Sequence, residues 1–166
     1  MTEDRIDLSP LFPLQASLDE EIARAHHVDY PSTKDRRVLA LLVEVGEFAN
    51  ETRCFKYWSN KGPSPKERIL DEYADALHFL LSLGVALGVS HFSHRFAVDE
   101  KDLSAALLKT YEKAVGLYEH FDPDHYREAM DQFLNLIPLF DYSVDDVIDA
   151  YKSKLQVNYN RQKEGY

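Results

Sequence analysis

Apolar side chains recur along most of this chain at the three- and four-residue spacing of an amphipathic helix. The spacing is clearest from Val38 to Thr52 and from Ile69 to Leu83, and the second stretch is apolar around most of its circumference. Four further segments carry the same pattern, and they begin near Pro10, Asp99, Asp122 and Ser143. We therefore expect an all-α bundle of about five or six helices that forms a single domain over residues 1–166.

Local signals indicate where some of these helices begin. Ser64-Pro65-Lys66-Glu67 has the spacing of a capping box with proline at the first helical position, so it predicts the start of the second long helix. Ser143, with Asp146 three residues later, predicts the start of the last helix in the same way. Residues 1–8 are mostly polar and are expected to be loose.

The composition narrows the functional classes. A net charge of −10 argues against a general binder of nucleic acid or of a membrane surface. Cys54 is the only cysteine, so a disulfide framework is excluded and a reducing compartment is favoured. The sequence shows neither a signal peptide nor an apolar stretch long enough to span a bilayer. We therefore expect a cytoplasmic protein.

Two pairs of carboxylates stand on the two most regular helices. Glu44 pairs with Glu47, and Glu72 pairs with Asp75; the members of each pair are three residues apart, so they share one helix face. The second pair lies in a helix that is otherwise core, where unpaired charge is costly. Hard oxygen ligands favour Mg²⁺. The pattern predicts a magnesium site, with an acidic solvated face as the alternative.

The order of these motifs resembles a known family. Glu-x-x-Glu, then Lys56-x-Trp58, then Glu-x-x-Asp running into Leu77-His78-Phe79 is similar to the dimeric, all-α dUTP diphosphatases of the all-α nucleoside triphosphate pyrophosphohydrolase superfamily. The end of the chain resembles the closing pattern of that family through seven residues: Tyr151, Lys154, Asn158, Arg161, Gln162, Gly165 and Tyr166. Leu155 departs from the pattern, which has Asn there.

The resemblance implies an activity and its cofactor. It implies Mg²⁺-dependent hydrolysis of dUTP to dUMP and pyrophosphate, and hydrolysis of dUDP as well, which removes dUTP from the nucleotide pool. The four paired carboxylates would hold two or more metal ions, with Mn²⁺ able to replace Mg²⁺, and Glu47 would orient or deprotonate the attacking water. The resemblance also implies a homodimer whose sites draw on both subunits.

The resemblance and the residue types together predict the substrate contacts. Gln15 and Asp19 lie in a segment similar to the one that recognises uracil in the family, and His78 would orient a ligand. Trp58 would stack on the nucleoside or, alternatively, plug the core. The phosphate contacts are predicted to be Lys56, Lys154, Asn158 and Arg161. Residues 156–166 would form a segment that closes over the substrate.

Two alternatives stay open from the sequence. A related pyrophosphohydrolase acting on dCTP or another nucleotide would have the same metal site and differ only in its base contacts. A helical protein that recruits a partner through its acidic face would need no catalysis at all. The sequence does not decide whether a protein partner regulates the chain.

Overall fold

The computed structural model describes residues 3–166, and within that range the protein is an all-α bundle with one small sheet. The predicted fold class is confirmed. The six helices are α1 (Leu11–His26), α2 (Lys34–Thr52), α3 (Lys66–Ala86), α4 (Leu103–Glu119), α5 (Pro123–Leu134) and α6 (Val144–Lys163). Single 3₁₀ turns at Tyr30–Thr33 and Ile137–Leu139 precede α2 and α6.

Helix α3 lies at the centre of the bundle. It packs against α1, α2, α5 and α6, while α4 covers the other sides of α2 and α5. Its sequence explains this position, because its own apolar side chains are buried on most sides of the helix. They are Ile69, Tyr73, Ala74, Ala76, Leu77, Leu80, Leu81 and Leu83. Near its end Gly84 allows a close approach, since a Cβ there would lie 2.8 Å from the Phe12 ring.

The beginning of the chain is held more firmly than expected. Residues Arg5–Asp7 form strand β1, which pairs antiparallel with strand β2 (Ser93–Arg95). Ile6 and Leu8 are fully buried, so the hydrophobic effect holds this segment. The expectation that residues 1–8 are loose is therefore wrong from Arg5 onward; Met1 and Thr2 lie outside the described residues.

The start of α3 also differs from the expected capping box. The N-cap is Pro65, and no side chain caps the first turn; the Pro65 carbonyl accepts from the N–H groups of Arg68 and Ile69. The Ser64 hydroxyl donates instead to the Glu51 carboxylate, and the Ser64 N–H donates to the Glu51 carbonyl at 3.0 Å. The last helix behaves as expected: Ser143 and Asp146 form a reciprocal capping box at the start of α6.

A helix that spans a bilayer needs about 20 mostly apolar residues. Within residues 3–166, none combines the length and the hydrophobicity that a membrane span needs.

Candidate functional site

Three of the four predicted metal ligands meet where α2 packs along α3. Glu44 on α2 faces Glu72 and Asp75 on α3, and one carboxylate oxygen of each lies within 4.8 Å of the others. All three side chains are partly buried. Carboxylates held this close repel one another, so the arrangement needs positive charge or bound protons.

The raised pKa values of two of these carboxylates show the same need for positive charge or bound protons. Burial, together with the negative charges of Asp75 and Glu47, raises the pKa of Glu44 to about 8. Burial and the charge of Asp75 raise the pKa of Glu72 to about 7. Within residues 3–166, the Oε2 atoms of both glutamates are buried and have no hydrogen-bond partner. Buried oxygens without donors fit a hard cation, because Mg²⁺ accepts carboxylate ligands and keeps several waters of its own.

Glu47 stands at the rim of this cluster. Its side chain is exposed, and its carboxylate adds to the raised pKa of both Glu44 and Glu72. Glu51, one turn further along α2, is excluded from the cluster because it pairs with Arg68 at 3.2 Å and accepts from Ser64. The acidic face of α2 thus divides into one structural carboxylate and two that face the site.

A buried lysine from α6 neutralises one side of the cluster. The Lys154 ammonium lies 2.9 Å from Asp71 and 3.2 Å from Asp75. Burial lowers the pKa of Lys154, but hydrogen bonds and the charges of the two aspartates outweigh it and leave the pKa raised. Burial raises the pKa of Asp75 in spite of the lysine. Asp71 was not singled out by sequence reasoning, which gave no sign that it would face the last helix.

The cluster borders a cavity of about 290 Å³ between α1, α3 and α6. The cavity brings together seven of the predicted site residues: Gln15, Asp19, Glu44, Asp75, His78, Asn158 and Arg161. The Arg161 guanidinium lies over the Tyr166 ring, 5.1 Å from its centroid. A carboxylate cluster, a cation and an amide-lined wall therefore share one concave space.

Another part of the cavity wall is a buried hydrogen-bond network around Gln15. The Gln15 amide nitrogen donates to Asp19 at 2.9 Å, and its oxygen accepts from the Tyr151 hydroxyl at 3.0 Å. His78 Nδ1 lies 2.7 Å from the same oxygen, and its Nε2 lies 3.2 Å from the Tyr151 carbonyl. Burial lowers the pKa of His78 to about 4, so the imidazole is neutral at pH 7.

Three residues of this network were missed by sequence reasoning. Tyr30 and Ser82 each donate to the Asp19 carboxylate at 2.9 Å, and Arg37 donates to Ser82 at 3.1 Å. Burial raises the pKa of Asp19, while the hydrogen bonds from Gln15, Tyr30 and Ser82 and the charge of Arg37 oppose that rise. Arg37 carried a usable signal, because it falls on the apolar face of α2 yet is charged.

Two predicted substrate residues lie apart from the cavity. Lys56 and Trp58 follow α2 in the loop before α3, and among the described residues no hydrogen bond or ion pair joins them to the carboxylates. Trp58 is 64% exposed and packs edge-on against Phe55 and Tyr57. The alternative of a core plug is therefore wrong, and the stacking role stays a prediction.

Comparison with known proteins shows which family the sequence matches. A search of curated proteins finds no match. The sequence model of a family described as dUTPase matches residues 7–166, which is nearly the whole chain. The helical bundle agrees with the all-α form of that family. The chain therefore belongs to the dUTPase family and is a dUTP diphosphatase.

Proposed function

We propose that the chain hydrolyses dUTP to dUMP and pyrophosphate with Mg²⁺, accepts dUDP as well, and so removes dUTP from the nucleotide pool. The observation that carries this proposal is the carboxylate cluster that borders the cavity, where Glu44 and Glu72 hold buried oxygens without a donor. The lining of the same cavity also offers an amide and an imidazole, which are groups suited to a pyrimidine edge.

Glu44, Glu72 and Asp75 would hold the metal, with Glu47 at the rim completing the set. The donors are all carboxylate oxygens, which suits Mg²⁺, and Mn²⁺ would replace it; two or more ions fit the charge of four carboxylates. When bound, the metal would neutralise phosphate charge and lower the pKa of the attacking water.

Glu47 is the group we assign to the water. It is the most exposed of the four carboxylates, so water and substrate can reach it. Its carboxylate would orient the attacking water and take its proton while the water oxygen bonds to phosphorus and the bridging P–O bond between dUMP and pyrophosphate breaks.

Cations from α6 would receive the phosphates. Lys154 stands beside Asp75, and Asn158 and Arg161 line the cavity one and two turns further along α6. These side chains would offset the charge that develops on the phosphate oxygens. Residues 156–166 would close over the substrate as these contacts form.

Gln15, Asp19 and His78 would bind the uracil. All three are buried and bonded to one another or to the protein, so their geometry is set before substrate arrives. Lys56 and Trp58 lie in an exposed loop, and we assign them to phosphate and nucleoside contacts across a dimer interface.

The proposed homodimer would use an exposed apolar face of α2 and α4. Leu39 and Val43 on α2 are 61% and 52% exposed, and Leu108 on α4 is 69% exposed. Leu39, Val43 and Glu47 are spaced by four residues and so follow one side of α2. A second copy on this face would cover these apolar side chains and lie beside the rim of the site, which explains why the chain leaves them open.

Pyrophosphate release across a panel of deoxynucleoside triphosphates tests the proposal. We expect hydrolysis of dUTP with Mg²⁺ or Mn²⁺, none in EDTA, and much weaker release from dCTP. Glu47→Gln should lower turnover at least about a hundredfold, roughly 3 kcal/mol in the barrier.

Glu51→Gln is the matched control, because Glu51 lies on the same helix but is bound to Arg68 and Ser64. Equal cleavage of dCTP would transfer the assignment to a broader pyrophosphohydrolase. Full activity in EDTA would remove the metal from the mechanism.

A further inference from the structure

The hydrogen-bond network around Gln15 can be satisfied in two directions. An amide can turn by half a rotation and exchange its oxygen and nitrogen, and a neutral imidazole carries its single proton on either nitrogen. Heavy-atom distances are the same in both cases. The direction must therefore be fixed by a group whose hydrogens cannot move.

Arg37 is such a group. Its guanidinium is buried, always charged and a donor only. It donates to Thr33, to the Ser82 hydroxyl and carbonyl and to the Tyr30 carbonyl, and it lies over the Tyr30 ring at 4.3 Å. Among the described residues no carboxylate is within ion-pair distance of it. Asp19, two hydrogen bonds away, is the charge that compensates it.

This fixed donor determines the hydrogens of its neighbours. Because Ser82 accepts from Arg37, its own hydrogen is free to point at Asp19, and Tyr30 donates to the other oxygen of the same carboxylate. These donors and the charge of Arg37 oppose the rise that burial causes in the pKa of Asp19, and so favour ionised Asp19, which only accepts. It can face only the amino group of Gln15, so the Gln15 oxygen must face His78 and Tyr151.

The free hydrogen-bonding capacity of Gln15 follows from this count. Its oxygen accepts twice, from His78 and Tyr151, and one amino hydrogen is used by Asp19. One amino hydrogen is left for the cavity. In the reversed direction both amino hydrogens would be used by His78 and Tyr151, and the amide would keep only an acceptor.

The two directions suit different bases. At position 4 the uracil ring carries a carbonyl acceptor, as thymine does, whereas cytosine carries an amino donor. We propose that Arg37 is a positioning residue for substrate choice: through Ser82 and Asp19 it makes Gln15 present a donor, which favours uracil over cytosine. This inference rests on the proposed role of Gln15 as a base contact.

The tautomer of His78 reports the direction without any measurement of activity. In the direction set by Arg37, His78 carries its proton on Nδ1 and donates to Gln15 at 2.7 Å, and this shorter contact outweighs the bond that an Nε2 proton would make to the Tyr151 carbonyl at 3.2 Å. Reversal would move the proton to Nε2, which would then donate to that carbonyl. The ¹⁵N spectrum of the imidazole distinguishes the two tautomers.

The experiment compares the native chain with Ser82→Ala, Arg37→Met and the control Thr110→Val. Thr110 is equally buried, and its hydroxyl bonds only within α4 and to Gln132, away from the cavity. We expect the Nδ1–H tautomer in the native chain and the control, and the Nε2–H tautomer in Ser82→Ala. The preference for dUTP over dCTP in kcat/KM should fall about tenfold in that variant, mainly through KM, as one misdirected hydrogen bond would produce.

Two results would overturn the inference: an Nε2–H tautomer in the native chain, or an unchanged tautomer and preference in Ser82→Ala. If Arg37→Met does not fold, Ser82→Ala decides the matter, because it keeps the buried cation and removes only the relay. If the native chain shows no preference for dUTP, the proposed uracil contact fails. That failure is distinct from failure of the proposed role of Arg37, because the His78 spectrum tests that role without any measurement of activity.

Discussion

The two halves of α3 treat buried polar groups in opposite ways. In the first half, Glu72 and Asp75 join Glu44 in a cluster with buried oxygens that lack a donor. In the second half, His78 and Ser82 belong to a network in which each buried side chain has at least one hydrogen-bond partner among the described residues. A region that the protein leaves incomplete is suited to a ligand that brings charge, whereas a region that it completes is suited to recognising shape and hydrogen-bond pattern.

The largest effect expected from this contrast is on catalysis. Glu44→Gln removes one charge from the incomplete half, and turnover of dUTP should fall at least about a hundredfold, roughly 3 kcal/mol in the barrier. The same variant should melt at a higher temperature without metal, because it removes a carboxylate whose burial is unfavourable. Steady-state kinetics and thermal melts in EDTA measure the two changes. A variant that keeps native turnover would contradict the proposed metal site.

A smaller effect is expected in the second half of α3, where a substitution should lower the stability rather than raise it. Asp19→Ala should lower the free energy of unfolding by about 2–3 kcal/mol, because the donors of Gln15, Tyr30 and Ser82 lose their acceptor. Urea unfolding measures this loss. Asp149→Ala, at an exposed position of α6, is the control and should change stability by less than about 0.5 kcal/mol. A neutral Asp19→Ala would show that the network is not cooperative.

The last effect is the pH dependence of the metal-free protein. The folded state raises the pKa values of Glu44 and Glu72 above the ordinary 4.5, so it binds more protons than the unfolded chain between that pH and about pH 8. This contribution to stability is complete below pH 4.5 and is lost as the pH rises through the folded pKa values. Melting temperatures in EDTA should therefore fall from about pH 5.5 to about pH 8.

The double variant Glu44→Gln/Glu72→Gln is the control for that measurement, since it removes both raised groups at nearly constant shape. Its melting temperature should depend less on pH over the same range. Added Mg²⁺ should also flatten the dependence, because a ligand of the ionised form stabilises the folded state most at high pH. Identical slopes in both chains would assign the pH dependence to other groups.

Local periodicity accounts for what the sequence could predict. The apolar spacing gave the helices, and the three-residue spacing within α2 and α3 gave carboxylates that do meet. The failures concern partners from distant parts of the chain. Ser64 bonds to Glu51 instead of capping α3, and Lys154 on α6 reaches Asp71 on α3. Strand β1 pairs with β2, with Arg5 opposite Arg95.

The Asp19 network shows the same limit within the site. Gln15 and Asp19 could be proposed because their segment resembles one in the family, but Tyr30 and Ser82 carry no motif. Their role depends on how α1 and α3 pack, which a single sequence does not display. Arg37 was the exception, since a charge on an apolar helix face requires a buried partner.

The network also has a consequence for how the enzyme is made. The bond from Tyr151 to Gln15 joins residues 136 positions apart, and His78 lies between them in the chain. Helices α1 to α5 can pack while synthesis continues, since domains assemble from the N-terminus as they emerge. The network around Gln15 cannot be completed until α6 has left the ribosome. A nascent chain can thus pack its first five helices and still lack the bond from Tyr151 to Gln15.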